Sequence, residues 1–479
     1  MIKEFYRLRP IDRLLGENGE LNNQEIYFAH PSQLNDPLEG FRDIIWSGDE
    51  VIWRNFFRHY LYCLHYVAFL YLISGDDHTI TIDDIPVCGS IDNFSTDMQK
   101  KCFSKMSNLF LENVEIRRLI RNISNRVAPI RKDELECYLS SVHMFALKII
   151  FDIFHEEQLS PESNKLPFEG NKLLAKVVDD EYFKAINDLS KESDNGNDYL
   201  SLMLFMGVQR KQQIKLLSKH NALESKNNKN VLLIDFESIY IRSLEKMCFL
   251  EWYTACFMSE CSNSSVWGHY GSNHSGACLI FSTEVDNERN FIKLKGIKGW
   301  SSTHGETRDW FNLELKKINY GKSQRTTDFF KSMGRLTFST INSMWYYSSE
   351  GERSICASHI LDSEDKWRAA YWDNFYNDIM IKTKDWSYEK EYRLILSSSF
   401  FDLSEKSKRV LNYEFSTLQG LIFGINTKEK DKLELIKIIE KKCKECNRSD
   451  FKFYQAYFCF KDGCIKKYEL ELLKFKNEV

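Results

Sequence analysis

The stretch YEKEYRLIL, Tyr388 to Leu396, spaces two carboxylates and a guanidinium two residues apart. Side chains alternate along a β-strand, so Glu389, Glu391 and Arg393 would share one face and Tyr392, Leu394 and Leu396 the other. Such a row is costly to bury unpaired. It is therefore a solvated face with a structural Glu–Arg pair, or part of a site.

A second cluster lies in VWGHYGSNHSGACLIF, Val266 to Phe281. Gly271 and Gly276 argue for a loop that enters an apolar strand. His269 and His274 would hydrogen-bond a ligand or carboxylate, and Tyr270 would stack on a ring. The alternative is an aromatic corner of Trp267 and Tyr270 with satisfied histidines. A third element is SQLNDPLEG, Ser32 to Gly40, which puts Asn35, Asp36 and Glu39 on a turn where capping alone explains some of them. Asp36, Glu39, His269 and His274 together could offer a carboxylate–imidazole set to a divalent ion. No tight histidine pair supports that set, and no metal is expected. Cys443, Cys446, Cys459 and Cys464 loosely match zinc spacing, but a helical run and a strand divide them. KLKGIKGWSSTHGETRDWFNLELKK, Lys293 to Lys317, interleaves Lys, Arg and Trp, and reads as a polar surface loop or a phosphate-contacting one. Phosphate-binding glycine loops and nucleophile elbows are absent.

The elements that must position these residues follow from periodicity. EFYRLR and EIYFAHP alternate as two strands around the helical turn IDRLLGENGE. From about Phe41 to Lys246 the spacing becomes helical, as in RNFFRHYLYCLHYVAFLYLI, NVEIRRLIRNISNRV, KDELECYLSSVHMFALKIIFDIFHEEQ and NDYLSLMLFMGVQRKQQIKLLSKHN, with polar breaks at KESDNGND and ESKNNKN. Strand signals return in WYTACFMSE, GACLIFST, LELKKINYG, EYRLILS, LQGLIFGI, FKFYQAYFCF and CIKKYELELL. The expected fold class is α+β. A mixed, mostly antiparallel sheet is built from residues 1–40 and 247–479, and an all-α insertion spans 41–246. A net charge of −4 removes any global attraction to nucleic acid or an anionic membrane. MIKEFYRLRP lacks a secretory h-region, and the apolar run Tyr60 to Ile73 is too short to span a bilayer. A cytoplasmic protein with thirteen reduced cysteines and no membrane partner is the expectation.

The ordered motifs FYRLRP, IYFAHPSQLNDPLEG, ACFMSE, VWGHYGSNHSGACLIF, KKINYG, KTKDWSYEKEYRLIL and LQGLIFGI resemble a bacterial family catalogued as domain of unknown function 2971. The resemblance covers both flanks and leaves out the insertion. The layout of an Arg-bearing first strand, a Ser-bearing second strand and a late Glu-x-Glu strand is also similar to the Arg-Ser-Glu class of ADP-ribosyltransferases. That resemblance implies Glu391 as the catalytic carboxylate and Glu389 as its partner toward the acceptor. It implies Arg7 as the phosphate anchor and Ser32 as the second-strand serine. Asn35, Asp36, His269, Tyr270, His274 and Arg393 would complete the NAD pocket. The implied protein is an NAD-consuming transferase, toxin-like or related to phage defence. It would act on a protein or nucleic-acid acceptor, and the insertion would dock a protein partner. Two other readings stand beside it: a non-enzymatic nucleotide- or peptide-binding module, and a metal-dependent hydrolase or nuclease.

Overall fold

In the computed structural model, residues 3–159, 180–191 and 228–475 are described, apart from 17–18, 37, 76, 304, 322–324, 362 and 399, together with scattered helical positions between 206 and 220. The helical pattern read over 197–221 and the two polar breaks fall largely outside the described residues. Along the chain the first strands are β1 (Lys3–Arg9), β2 (Glu25–Tyr27), β3 (Asp43–Trp46), β4 (Ile130–Arg131), β5 (Trp252–Met258) and β6 (Ala277–Asp286). Next come β7 (Arg289–Ser301), β8 (Gly305–Glu314), β9 (Lys316–Lys317), β10 (Asn319–Tyr320), β11 (Thr326–Asp328) and β12 (Ile381–Lys382). The last are β13 (Glu391–Ser397), β14 (Val410–Tyr413), β15 (Leu418–Phe423), β16 (Lys452–Cys459) and β17 (Cys464–Glu469). The fold is α+β, and the chain divides into two units.

The first unit comprises residues 1–41, 250–324 and 376–479. Its sheet runs in the order β17-β16-β15-β6-β1-β5-β13-β9, with β2, β14, β7 and β8 joined at the side. The pairs are antiparallel except β15 with β16. Apolar residues on alternate positions cover both faces. Phe5, Phe257, Leu394 and Leu421 pack on one side with Leu435 and Ile439 of the helix Glu429–Glu445. Leu8, Met258, Trp267 and Ile422 pack on the other. β1 pairs with β6 along its whole length, but it meets β5 only at Tyr6 and Met258. Beyond that bridge the two strands separate. The backbone groups thus released on β5 are taken by Ala29, which exchanges hydrogen bonds of 2.8 and 2.9 Å with Thr254. β2 itself does not lie beside the Glu391 strand, β13. β2 pairs with β14, and only its extension at Ala29 reaches β5. The Lys/Trp-rich segment is also a hairpin rather than a loop. In β7, Ile292, Leu294 and Gly296 are buried on alternate positions while the intervening lysines reach outward.

The second unit comprises residues 42–249 and 325–375. Its helices Glu50–Ser74, Asp97–Leu111, Val114–Ser124, Lys132–Glu156 and Phe236–Cys248 surround one aromatic-rich core. Residues 325–375 were expected in the sheet domain, and the structure groups them with the helices instead. The cause is the four bulky aromatics Phe329, Phe330, Trp345 and Tyr346, all fully buried in the helical core. A span expected to be wholly helical also contains β3 and β4, which form a three-stranded sheet with β11. The run Tyr60 to Ile73 belongs to the core helix Glu50–Ser74. Lys132–Glu156 is long and apolar enough to cross a membrane, and 61% of that apolar window is buried inside the unit.

Two glycines give opposite expectations. A Cβ on Gly424 would lie 2.2 Å from the His274 carbonyl oxygen and 2.8 Å from that of Gly276, whereas a Cβ on Gly268 would meet nothing within 4 Å. Gly424→Ala should lower stability by about 1–3 kcal/mol, the range for forced overpacking. Gly268→Ala, in a helix, should raise it by up to about 1 kcal/mol. Thermal unfolding midpoints of the two variants check both signs.

Candidate functional site

Strand β13 begins at Glu391, and Glu389 is not part of it. Glu389 ends the short 3-10 segment Lys384–Glu389, and Lys390, at φ 46°, turns the chain between them in the left-handed region. The expected shared strand face thus holds for Glu391 and Arg393 only, with Tyr392, Leu394 and Leu396 on the other side. Both glutamates nevertheless converge on Lys382 of β12. Its Nζ donates to Glu389 Oε2 at 2.7 Å and Glu391 Oε2 at 3.3 Å, and pairs with Glu39 Oε1 at 3.4 Å. Arg393 is fully buried. Its Nε donates to Glu391 Oε1 at 2.7 Å and its Nη1 to Glu39 Oε2 at 2.9 Å, while Nη2 bonds the other Glu39 oxygen. Tyr270 donates its hydroxyl to Glu389 Oε1 at 2.6 Å, and the Glu391 amide donates to Tyr320 Oη at 2.8 Å.

Lys382 was missed in the sequence, and Glu39 was read as a turn residue. A signal for Lys382 did exist. Three glutamates against one arginine leave an excess of buried negative charge that needs a second cation.

The cluster separates its carboxyl groups electrostatically. Burial pushes the Glu391 carboxyl up, but Arg393 and Lys382 outweigh it and hold the group at about 2. Glu389 is pushed up by burial and by Glu391, against the pull of Lys382. The Lys382 ammonium is held protonated: its three glutamates overcome the effect of burial.

Where β1 leaves β5 there is a cavity of about 210 Å³. Arg7 and Arg9 line one side and Thr254 to Cys256 the other, with Asn35, Tyr270, Glu391 and Arg393 among the remaining walls. Arg7 differs from every other charged group there. It is buried, at 6% exposure, and lies 5.3 Å from the centre of the Phe257 ring. Its Nη2 donates to the Tyr27 carbonyl at 3.3 Å, and its Nη1 has no hydrogen-bond partner among the described residues. The adjacent Arg9 takes Glu20, its Nε donating at 2.8 Å. Burial, reinforced by Arg9, pulls the Arg7 guanidinium down to about 10. A buried guanidinium with a spare N–H and no carboxylate of its own fits an anion, phosphate above all.

Several expected site residues lie away from this cavity. Ser32 is tied to His30 Nδ1 at 2.7 Å, and Asp36 accepts from the Leu38 amide at 2.9 Å. His269 and Tyr270 belong to the helix Ser264–Tyr270, capped by Asn263, where a loop was expected. Successive helical residues diverge by about 100°, so Tyr270 reaches Glu389 while exposed His269 meets the Tyr388 hydroxyl at 3.3 Å. Ser272, Asn273 and His274 all take left-handed φ values, which set the His274 ring stacked against Trp267. The carboxylate–imidazole set therefore does not assemble, because Glu39 is committed to Arg393 and Lys382. Among the described residues no group of three or more His, Cys, Asp or Glu could hold a metal ion. Cys443 is buried in a helix, while Cys459 and Cys464 face each other across the β16–β17 hairpin. All thirteen thiols are free.

With this geometry in place, comparison with known families gives one match. Residues 266–394 match the family model of the protein of unknown function DUF2971. The matched segment contains Tyr270, Lys382, Glu389, Glu391 and Arg393, and so spans most of the charge cluster. Arg7 and Glu39 lie outside it. No curated protein and no solved structure matches the chain.

The depressed Glu391 group has a consequence for acid stability. Its carboxyl falls from the ordinary 4.5 to about 2 on folding. The stability it contributes is therefore complete above the unfolded value and lost as pH drops through the folded one, about 3 kcal/mol in all. Glu389, whose carboxyl is raised, acts in the opposite sense and costs stability as pH climbs above 4.5. Urea unfolding at a series of pH values should show an acid limb between 4.5 and about 2 that is shallower in Glu391→Gln.

Proposed function

We propose that the first unit binds NAD in the cavity between β1 and β5 and transfers its ADP-ribose to an acceptor. One observation carries this reading. An uncompensated Arg7 and an ionised Glu391 line the same cavity, at the point where the sheet opens. Arg7 would hold the pyrophosphate through its free Nη1. As the bond from ribose C1′ to the nicotinamide nitrogen breaks, its electron pair leaves with nicotinamide. The oxocarbenium-like sugar would then face the Glu391 carboxylate, held as an anion at neutral pH. The acceptor's nucleophile adds at C1′ and gives its proton to solvent. The arrangement matches the general rule that a preorganised charge acts where charge develops.

Glu389 takes a different part from the one expected of it. It lies behind Tyr270 and Lys382, 1% exposed, and positions both. The acceptor, a protein or nucleic-acid group, and the effector role, toxin-like or related to phage defence, belong to the same proposal. So does a docking role for the helical unit. The binding-module reading has one observation in its favour: Arg393 and Lys382 already compensate Glu391. It differs in outcome, because NAD would bind and remain whole.

Purified protein incubated with NAD and cell extract should release nicotinamide. Glu391→Gln should lower that rate by about a hundredfold or more. Arg7→Gln should weaken NAD binding, measured by calorimetry. Turnover unchanged in Glu391→Gln contradicts the transferase, and NAD binding without nicotinamide release assigns the cavity to a binding module.

A further inference from the structure

We infer that the helical unit holds a ligand site of its own, built for a small planar ring that carries an anionic group. A cavity of about 250 Å³ lies between the helix Glu50–Ser74, the segment Gly89–Asp92 and Ser343–Met344. Three of its side chains have polar capacity that the protein leaves unused. Arg58 makes a single hydrogen bond, from Nη1 to Asn55 Oδ1 at 3.2 Å, and no ion pair among the described residues. Asn55 is itself fixed, donating to the Trp345 and Tyr347 carbonyls at 2.8 and 2.9 Å, so it presents its oxygen to Arg58. Tyr62 is 5% exposed, and its hydroxyl has no hydrogen-bond partner among the described residues. Asp92, on the exposed rim, pairs with no cation among the described residues, Arg58 included.

The walls are flat and apolar. His59 has both ring nitrogens occupied, by the Tyr240 hydroxyl at 2.8 Å and the Val87 carbonyl at 2.9 Å. Burial holds its imidazole at about 4, so it stays neutral and serves as a flat surface. Tyr62 lies edge-on to Phe103, with ring centres 5.8 Å apart. At position 89 a Cβ would come within 2.6 Å of the Tyr62 hydroxyl, so glycine keeps the approach to that hydroxyl open. A ring between these walls would place a carboxylate or phosphate on Arg58, a charge-assisted bond of the strong kind. An amino group on the same molecule would meet Asp92. The site differs from a packed core in that a tyrosine hydroxyl and a cation, both without full partners among the described residues, line one open space.

The two sources of this chemistry are separable with AMP, a ring with a phosphate, and L-tryptophan, a ring with a carboxylate and an ammonium. Each is titrated calorimetrically into the full chain and into Arg7→Gln, which weakens any binding in the first unit's cavity. One probe should saturate at one site per chain in both proteins. Arg58→Gln should weaken it by about tenfold or more, as loss of a charge-assisted hydrogen bond requires. Tyr62→Phe, which keeps the ring and the packing, should weaken it less and serves if Arg58→Gln does not fold. Asp92→Asn should weaken tryptophan alone. Absence of binding by both probes at millimolar concentration, or binding that Arg58→Gln and Tyr62→Phe leave unchanged, overturns the site. Binding lost in Arg7→Gln overturns it too and returns the ligand to the first cavity. The NAD reading stands or falls separately, on nicotinamide release.

Discussion

The Lys382 ammonium sits almost out of reach of water, with Glu39, Glu389 and Glu391 around it. Arg393, fully buried, closes the same cluster from the other side through Glu39 and Glu391. Removing one member of such a group leaves a buried charge uncompensated, a loss of about 3–5 kcal/mol. The cluster therefore fixes several otherwise unrelated pieces of chain at once. The turn that carries Glu39, the short β10–β12 pair, the 3-10 segment ending at Glu389, and β13 all depend on it. Tyr270 is held to the same group through Glu389, and with it the helix Ser264–Tyr270.

Arg7 is informative because it stands outside this compensation. Its charge is nearly as buried as that of Arg393, yet among the described residues it has an unsatisfied N–H and no carboxylate partner. The sheet geometry explains how that is tolerated. β1 parts from β5 after a single bridge, and the space between them gives the guanidinium somewhere to face. One wall of the cavity is thus electrostatically closed and the other open. An anionic ligand would supply what the protein withholds from Arg7.

Much of the first unit was legible. The alternation in EYRLIL put Glu391 and Arg393 on one face because strand periodicity is strict, and the structure keeps it. Glu389 broke the pattern because a left-handed Lys390 resets the phase, and lysine is not a residue that announces such a turn. The helix Ser264–Tyr270 carried a readable start at Asn263, but Gly271 and Gly276 suggested a loop, and Gly271 in fact ends the helix. Lys382 lies in a two-residue strand with no periodicity to read. Continuity along the chain pointed the segment 325–375 to the sheet unit, but its aromatic side chains are buried in the helical core. The opening of the sheet beside Arg7 is a matter of strand pairing, which a single chain of residues does not encode locally.

The account is tested most directly by the melting temperature of the protein in increasing concentrations of pyrophosphate, the anionic centre that Arg7 would grip. A ligand that binds only the folded state raises the midpoint with the logarithm of its concentration once above its dissociation constant. The account predicts such a rise for the native protein and none for Arg7→Gln. A midpoint that pyrophosphate leaves unmoved, or moves equally in both proteins, would contradict it.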